Sequence, residues 1–146
     1  MRIVSVLFAS LLTVTLLAQV PTLKPGQYEL VSEFSMAGRA GGSPAQKMAH
    51  CYTAQELRDL GNSLANGDPK QKCKVQDSKV AGSTLTYTTE CVDPDGSKQT
   101  LSGRVNFTSQ ESFHAVVNMK STAKDSPFGN GVTLTVNGKR TGDCTK

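Results

Sequence analysis

Apolar and polar residues alternate along most of this chain, with the period of two that predicts strands carrying one buried and one solvated face. From Gly26 to Ala37, the residues Tyr28, Leu30, Phe34 and Met36 fall on one side, and Gln27, Glu29, Glu33 and Ser35 on the other. Beyond Pro69 the pattern returns in five segments: Cys73 to Val80, Thr84 to Val92, Lys98 to Thr108, Ser112 to Thr122 and Val132 to Gly142. Their apolar sides carry Leu85, Tyr87 and Cys91, then Leu101, Val105 and Phe107, then Phe113, Ala115, Val117 and Met119, then Val132, Leu134 and Val136. Turn chemistry separates them: Ala81-Gly82-Ser83, Asp93-Pro94-Asp95-Gly96, Ser109-Gln110-Glu111 and a longer loop from Lys124 to Gly131. One-sided strands joined by short turns predict an antiparallel meander, and strands of this number and length curl around their apolar side. The expected fold class is mainly β with minor α, a curved antiparallel meander or half-open β-barrel with one short helix and two disulfides.

The helix is signalled by Thr53-Ala54-Gln55-Glu56, a capping box in which the threonine hydroxyl and the glutamate carboxylate satisfy amides of the first turn. Leu57, Leu60 and Leu64 follow at helical spacing, and Asn66-Gly67-Asp68-Pro69 ends the segment. A narrow leucine stripe predicts packing against a sheet. Between the first strand and this helix, Gly38 to Ser43 reads as a loop.

The first stretch has a different character. Arg2 is followed by an unbroken run of apolar and small residues from Ile3 to Ala18, closed by breakers such as Pro21, Pro25 and Gly26 and not by a basic cluster. A spanning helix needs about 20 apolar residues, so the run reads as a signal peptide, residues 1–18, cleaved after Ala18. Leu16 stands where a small residue is preferred, which leaves an uncleaved anchor as the alternative. The first cysteine is Cys51, too distant for lipid attachment. Residues 19–146 then form a single disulfide-bonded β domain, periplasmic or secreted, with no stable membrane span after cleavage. Without Arg2 the chain keeps 15 Lys and Arg against 12 Asp and Glu, a dispersed surplus of 3. That is too mild for a nucleic-acid partner, and the absence of tryptophan removes the strongest stacking platform for single strands.

Cys51, Cys73, Cys91 and Cys144 all lie in the domain, and an even number in an exported chain predicts disulfides. A hairpin turn centred on Gly82 places Cys73 opposite Cys91, where facing positions lie about 4.5 to 5.5 Å apart. Cys51 is then left for Cys144. No Cys-x-x-Cys or Cys/His cluster with metal-ligand spacing is present, so no metal site is assigned.

Candidate chemistry finds structural explanations. Glu29 and Glu33 share a strand face, but four residues at about 3.3 Å each separate them by roughly 13 Å, beyond the reach of a glycosidase pair; they read as a solvated edge. Asp93 to Gly96 resembles the opening of a calcium loop, yet its glycine comes two positions early and Arg104 stands where the final glutamate belongs. No Gly-x-Ser-x-Gly elbow exists, and His50 and His114 have no partners visible in the sequence. His50 and Cys51 are adjacent on an extended backbone and point to opposite faces. The sequon at Asn106 lies on a strand. No catalytic residue and no cofactor are assigned.

Two binding features remain. Lys70, Lys72 and Lys74 cluster around Cys73, and together with Lys139 and Arg140 near Cys144 they offer a possible anion-binding surface for a lipid headgroup, polysaccharide or acidic partner. The simpler reading is a solvated rim that discourages edge pairing. The other feature is the apolar interior, lined by Tyr28, Phe34, Met36 and Leu85, with Tyr87, Phe107, Phe113 and Met119 beyond them. It is either a filled core or a pocket for a small lipophilic ligand.

Several short stretches together resemble a bacterial family, domain of unknown function 3617: Lys24-Pro25-Gly26-Gln27-Tyr28-Glu29-Leu30, the Met36-Ala37-Gly38 strand ending, Cys51-Tyr52-Thr53 before the capped helix, the Cys73 and Cys91 pair, and the closing run from Gly138 to Cys144. The resemblance implies an exported, usually periplasmic protein and supplies no activity. Three classes of function follow in order: a non-catalytic binding or interaction module of the envelope, with an envelope protein as partner; a carrier of a small lipophilic ligand in the barrel interior; and a hydrolase with an unrecognised site.

Overall fold

The alternating segments pair into one sheet. The computed structural model describes residues 22–37, 42–59, 72–126 and 129–144. Its strands are β1 (Gly26–Met36), β2 (Gln46–Tyr52), β3 (Cys73–Ala81), β4 (Thr84–Val92), β5 (Lys98–Ser109), β6 (Ser112–Ser121) and β7 (Val132–Gly142). They form a seven-stranded sheet in the order β2-β1-β7-β6-β5-β4-β3, antiparallel throughout. Strands β3 to β7 are a simple meander. β1 adds to the far side of β7, and β2 folds back on β1.

The expected meander is therefore present, but the sheet is not closed into a barrel. Closure needs a tilt and stagger that bring the two outermost strands into register. Here β2 has only seven residues and pairs with β1 alone, while the ladder of β3 is broken by a bulge; no pairing joins these two strands among the described residues. β2 itself is an addition to the sequence reading, which left residues 44–52 unassigned ahead of the helix. It also moves Glu29 and Glu33. They are exposed as expected, yet they belong to an interior strand, not to an edge.

The β3–β4 hairpin shows how register is set. Ala81 faces Thr84 across a two-residue turn, with Gly82 at a φ of 58°, the glycine-first arrangement of a type II′ hairpin. That turn alone would put Cys73 opposite Val92. A bulge at Gln76, between the Val75–Thr89 and Asp77–Thr88 pairs, takes up one residue and returns Cys73 to face Cys91. Both disulfides form as expected, Cys73 with Cys91 and Cys51 with Cys144.

The helix α1 is described over residues 54–59. Its capping box is complete: the Thr53 amide donates to Glu56 Oε2 at 2.7 Å and the Glu56 amide donates to Thr53 Oγ1 at 3.1 Å. Leu57 is half-buried. Leu60, Leu64 and the stop at Asn66 to Pro69 lie outside the described residues, as does the signal segment 1–18.

One end of the sheet is fastened by the β5–β6 turn. The Lys24 amide donates to Gln110 O at 2.7 Å, the Arg140 amide donates to Glu111 O at 2.7 Å, and Lys24 Nζ lies 3.3 Å from the Glu111 carboxylate. Tyr28, with no exposed surface, donates its hydroxyl to Lys24 O at 2.8 Å. A polar group taken out of water must find a partner, and the backbone just before the strand supplies it, fixing the entry of the chain into β1.

Candidate functional site

Directly opposite residues share a face of an antiparallel sheet, so the register builds the candidate surface row by row. One row runs Phe34, Leu134, Val117, Gly103 and Tyr87 across β1, β7, β6, β5 and β4. Beside it on one side lie Met36, Val132, Met119, Leu101 and Thr89; on the other lie Ser32, Val136, Ala115, Val105 and Leu85. A fourth row holds Leu30, Gly138, Phe113 and Phe107. These four rows contain no charged side chain. All eight residues expected to line an apolar interior fall on this one face.

Burial on the face is uneven. Tyr28, Leu30, Leu85, Ala115 and Val132 are buried, but Phe34, Leu134, Val117, Tyr87, Phe107, Phe113 and Met119 are only half-buried, and Met36 is 40% exposed. The sheet thus gathers an apolar field without burying all of it.

Two glycines shape that field. A Cβ at Gly103 would sit 2.2 Å from Cζ of Tyr87, and a Cβ at Gly138 would sit 2.1 Å from Cε1 of Phe113. Each ring therefore occupies the space over a facing glycine, as aromatic side chains do when they cover glycine in a sheet. Burial pushes the Tyr87 phenol above its usual value. The two rings thus fill the places where side chains at positions 103 and 138 would otherwise stand.

β2 extends the same face. Met48, His50 and Tyr52 share it, opposite Leu30, Tyr28 and Gly26. Tyr28 and Tyr52 meet edge to face with centroids 5.4 Å apart, His50 and Tyr52 at 4.4 Å, and Tyr28 and Phe113 at 6.5 Å, within the range in which aromatic pairs attract. Burial raises the pKa of both Tyr28 and Tyr52; Arg140 partly opposes this at Tyr28, and the Glu56 carboxylate adds to it at Tyr52. Tyr52 and Gly138 entered the sequence reading only within the stretches that carry the family resemblance, with no place in a site. The Met48-His50-Tyr52 alternation was the available signal, too short and too polar to announce a strand.

The basic residues do not come together as one surface. Lys72 and Lys74 stand at the β3 end of the sheet, Lys139 and Arg140 on β7, with β4, β5 and β6 between them; four interstrand steps amount to about 19 Å. Lys70 lies outside the described residues. Lys139 is on the polar face, opposite Glu29. Arg140 is on the apolar face and fully engaged: its Nε donates to Pro25 O at 2.9 Å, its guanidinium lies 3.8 Å from Glu111, and it is hydrogen-bonded to Asp143. A shallow depression of about 300 Å³ lies beside β2, lined by Tyr28, Glu29, Lys47, Met48, Ala49 and Thr141, with Lys47 and Glu29 paired at 3.9 Å.

The remaining candidates are placed apart. His50 lies on the apolar face, 3.8 Å from Glu56, whose carboxyl is held below its usual range chiefly by the Thr53 amide. His114 is on the polar face, hydrogen-bonded to Asn137 at 2.8 Å. Cys51 points away from His50 and is bonded to Cys144. Asp93 and Asp95 hold a tight turn, accepting from Ser97 and Gln99, with Gly96 at a φ of 83°. Among the described residues no group of three or more His, Cys, Asp or Glu side chains is arranged to hold a metal ion.

No curated protein matches this chain at a significant level of sequence similarity. A family model does match, over residues 23–144, from the residue before the Lys24 anchor to the last cysteine. That span takes in every strand and both disulfides described above, and the chain belongs to the family described as "Protein of unknown function (DUF3617)".

Proposed function

We propose that this chain is an exported, non-catalytic binding module of the cell envelope, and that it binds a lipophilic molecule along the apolar face of its sheet. The observation that carries the reading is the uncharged four-row field in which Phe34, Leu134, Val117 and Tyr87 stay half-buried. An apolar patch left partly in water loses stabilisation of about 25 cal/mol per Å², and a ligand that covers it recovers that free energy. Gly103 and Gly138, each covered by a neighbouring ring, favour a slender apolar molecule over a second sheet, because sheets pack through interdigitating side chains and these two positions project none of their own. Two disulfides and a leader-like first segment support work in an oxidising compartment outside the cytoplasm.

The test is binding of a long-chain fluorescent fatty acid to the mature, oxidised protein. Val117→Gln and Leu134→Gln, each at the centre of the field, should weaken binding, while Glu33→Gln on the polar face should leave it unchanged. Equal binding by all three variants, or none by the parent protein, would refute the site.

A further inference from the structure

The two disulfides differ in exposure and in what each one holds. Cys73 and Cys91 are buried, at 9% and 8% exposure, and join residues that already face each other in the β3–β4 ladder. Cys51 and Cys144 are half-buried. Their bridge spans a sequence separation of 93 and ties β2 to a point just beyond the end of β7, passing the end of β1.

Among the described residues, β2 has little else to hold it. It pairs with β1 only, and its residues 46–50 are all exposed. Its ion pair, Lys47 with Glu29, is solvent-exposed on both sides at 3.9 Å, a kind that contributes about 0–1 kcal/mol. Among the described residues, the ring contact of Tyr52 with Tyr28 and the covalent bridge are what remain to tie it to the sheet, since the His50–Glu56 contact joins β2 only to α1. The first residue after β2, Thr53, caps α1, so β2 and the start of the helix move together or not at all.

We infer that the Cys51–Cys144 bridge is a redox latch: a dithiol reductant opens it while Cys73–Cys91 stays closed, and opening frees β2 and the start of α1 from the outer edge of β1. A thiolate of the dithiol attacks one sulfur of the bridge, the S–S bond breaks, and a mixed disulfide forms. The second thiolate of the dithiol then displaces the cysteine that remains bound. Two electrons pass to the protein, the two protons lost by the dithiol end on Cys51 and Cys144, and the reductant leaves as its disulfide. The freed β1 edge presents unpaired backbone groups of the kind to which an extended segment adds, and Tyr28 loses the ring that packs on it. The inference does not depend on ligand binding at the apolar face.

The test is graded reduction of the mature protein by dithiothreitol under native conditions, followed by alkylation, peptide mapping and hydrogen exchange. Cys51 and Cys144 should be alkylated about tenfold sooner than Cys73 and Cys91, with faster amide exchange across residues 46–52 and unchanged protection in β4, β5 and β6. The double variant Cys51→Ser/Cys144→Ser should show the same exchange pattern without reductant. Opening of Cys73–Cys91 first or simultaneously overturns the inference, and so does selective opening that leaves exchange in β2 unchanged. Should the double variant fail to fold, the graded reduction of the parent protein decides alone.

Discussion

Replacing Gly138 by alanine tests the packing of the apolar face through the sign of its effect. At an ordinary strand position, Gly→Ala stabilises by about 0.4–1 kcal/mol, because it removes freedom from the unfolded chain. Gly138 has no positive φ to oppose the change. The obstacle is Phe113, whose Cε1, Cζ and Cδ1 lie 2.1, 2.4 and 2.8 Å from the position the new Cβ would take. The ring must swing away, yet it faces Phe107 across β5 and β6 and has Tyr28 at 6.5 Å on the other side. Overpacking of this kind costs about 1–3 kcal/mol, so the net loss should be roughly 0.5–2 kcal/mol once the chain-entropy gain is set against it. With no tryptophan in the chain, urea unfolding is best followed by far-ultraviolet circular dichroism, both disulfides intact. A slope of about 2 kcal/mol per molar turns the loss into a midpoint lower by roughly 0.3–1 M. In a Phe113→Leu background the same substitution should cost less, since the ring is gone. A Gly138→Ala protein more stable than its parent would refute the placement of Phe113 over the glycine, and with it one of the two ring-covered glycines that the binding reading uses.

Alkaline pH should destabilise the fold, because burial raises the pKa of Tyr28, Tyr52 and Tyr87 above the ordinary 10.0. Each holds its proton more tightly folded than unfolded, so its contribution is complete below about pH 10 and is lost as the pH rises through the raised folded values; urea midpoints measured from pH 8 to 11 should fall, and Tyr87→Phe should lessen the fall. Removing Cys51–Cys144 should cost on the order of 4.7 kcal/mol and removing Cys73–Cys91 on the order of 3 kcal/mol by the chain-entropy model, an order that paired Cys→Ser variants and calorimetry can check. His50→Gln with His114→Gln should leave the protein's role in the cell intact, since each ring has a structural partner; a deletion-like strain with folded, exported protein would contradict the non-catalytic reading. Charge reversal at Lys72 and Lys74 should leave fatty-acid binding unchanged, because both stand at the β3 end of the sheet, and weakened binding would place a headgroup there.

What was legible in the sequence was whatever alternates strongly. Strands β4 and β7 begin and end where the apolar period and the turn residues put them, because each has a clear apolar side and a Gly or Asp-Pro boundary. β2 was not legible: Lys47, Ala49 and Cys51 against Met48, His50 and Tyr52 gives no apolar contrast, and an exposed strand needs none. The cysteine pairing came out right by a shorter route than the molecule takes. A turn centred on Gly82 predicts Cys73 opposite Cys91, whereas the two-residue turn and the bulge at Gln76 reach the same register by two compensating steps. The expected meander with one short helix and two disulfides is present as an unclosed sheet; how far such a sheet closes depends on how its two edge strands meet, and neither strand's own residues encode that. The division of the basic residues between β3 and β7 has the same origin: strand order, not sequence proximity to a cysteine, decides which charges are neighbours. The eight residues expected to line an apolar interior share one face, because the period of two that marked them also sets which way a strand residue points.

The most direct measurement is mass spectrometry of the molecules extracted from the protein after gentle purification from its native host. The account predicts a lipophilic species in stoichiometric amount, present with the parent protein and depleted from Val117→Gln and Leu134→Gln. Recovery of no such species, or of the same species in equal amount from the parent and both variants, would contradict it.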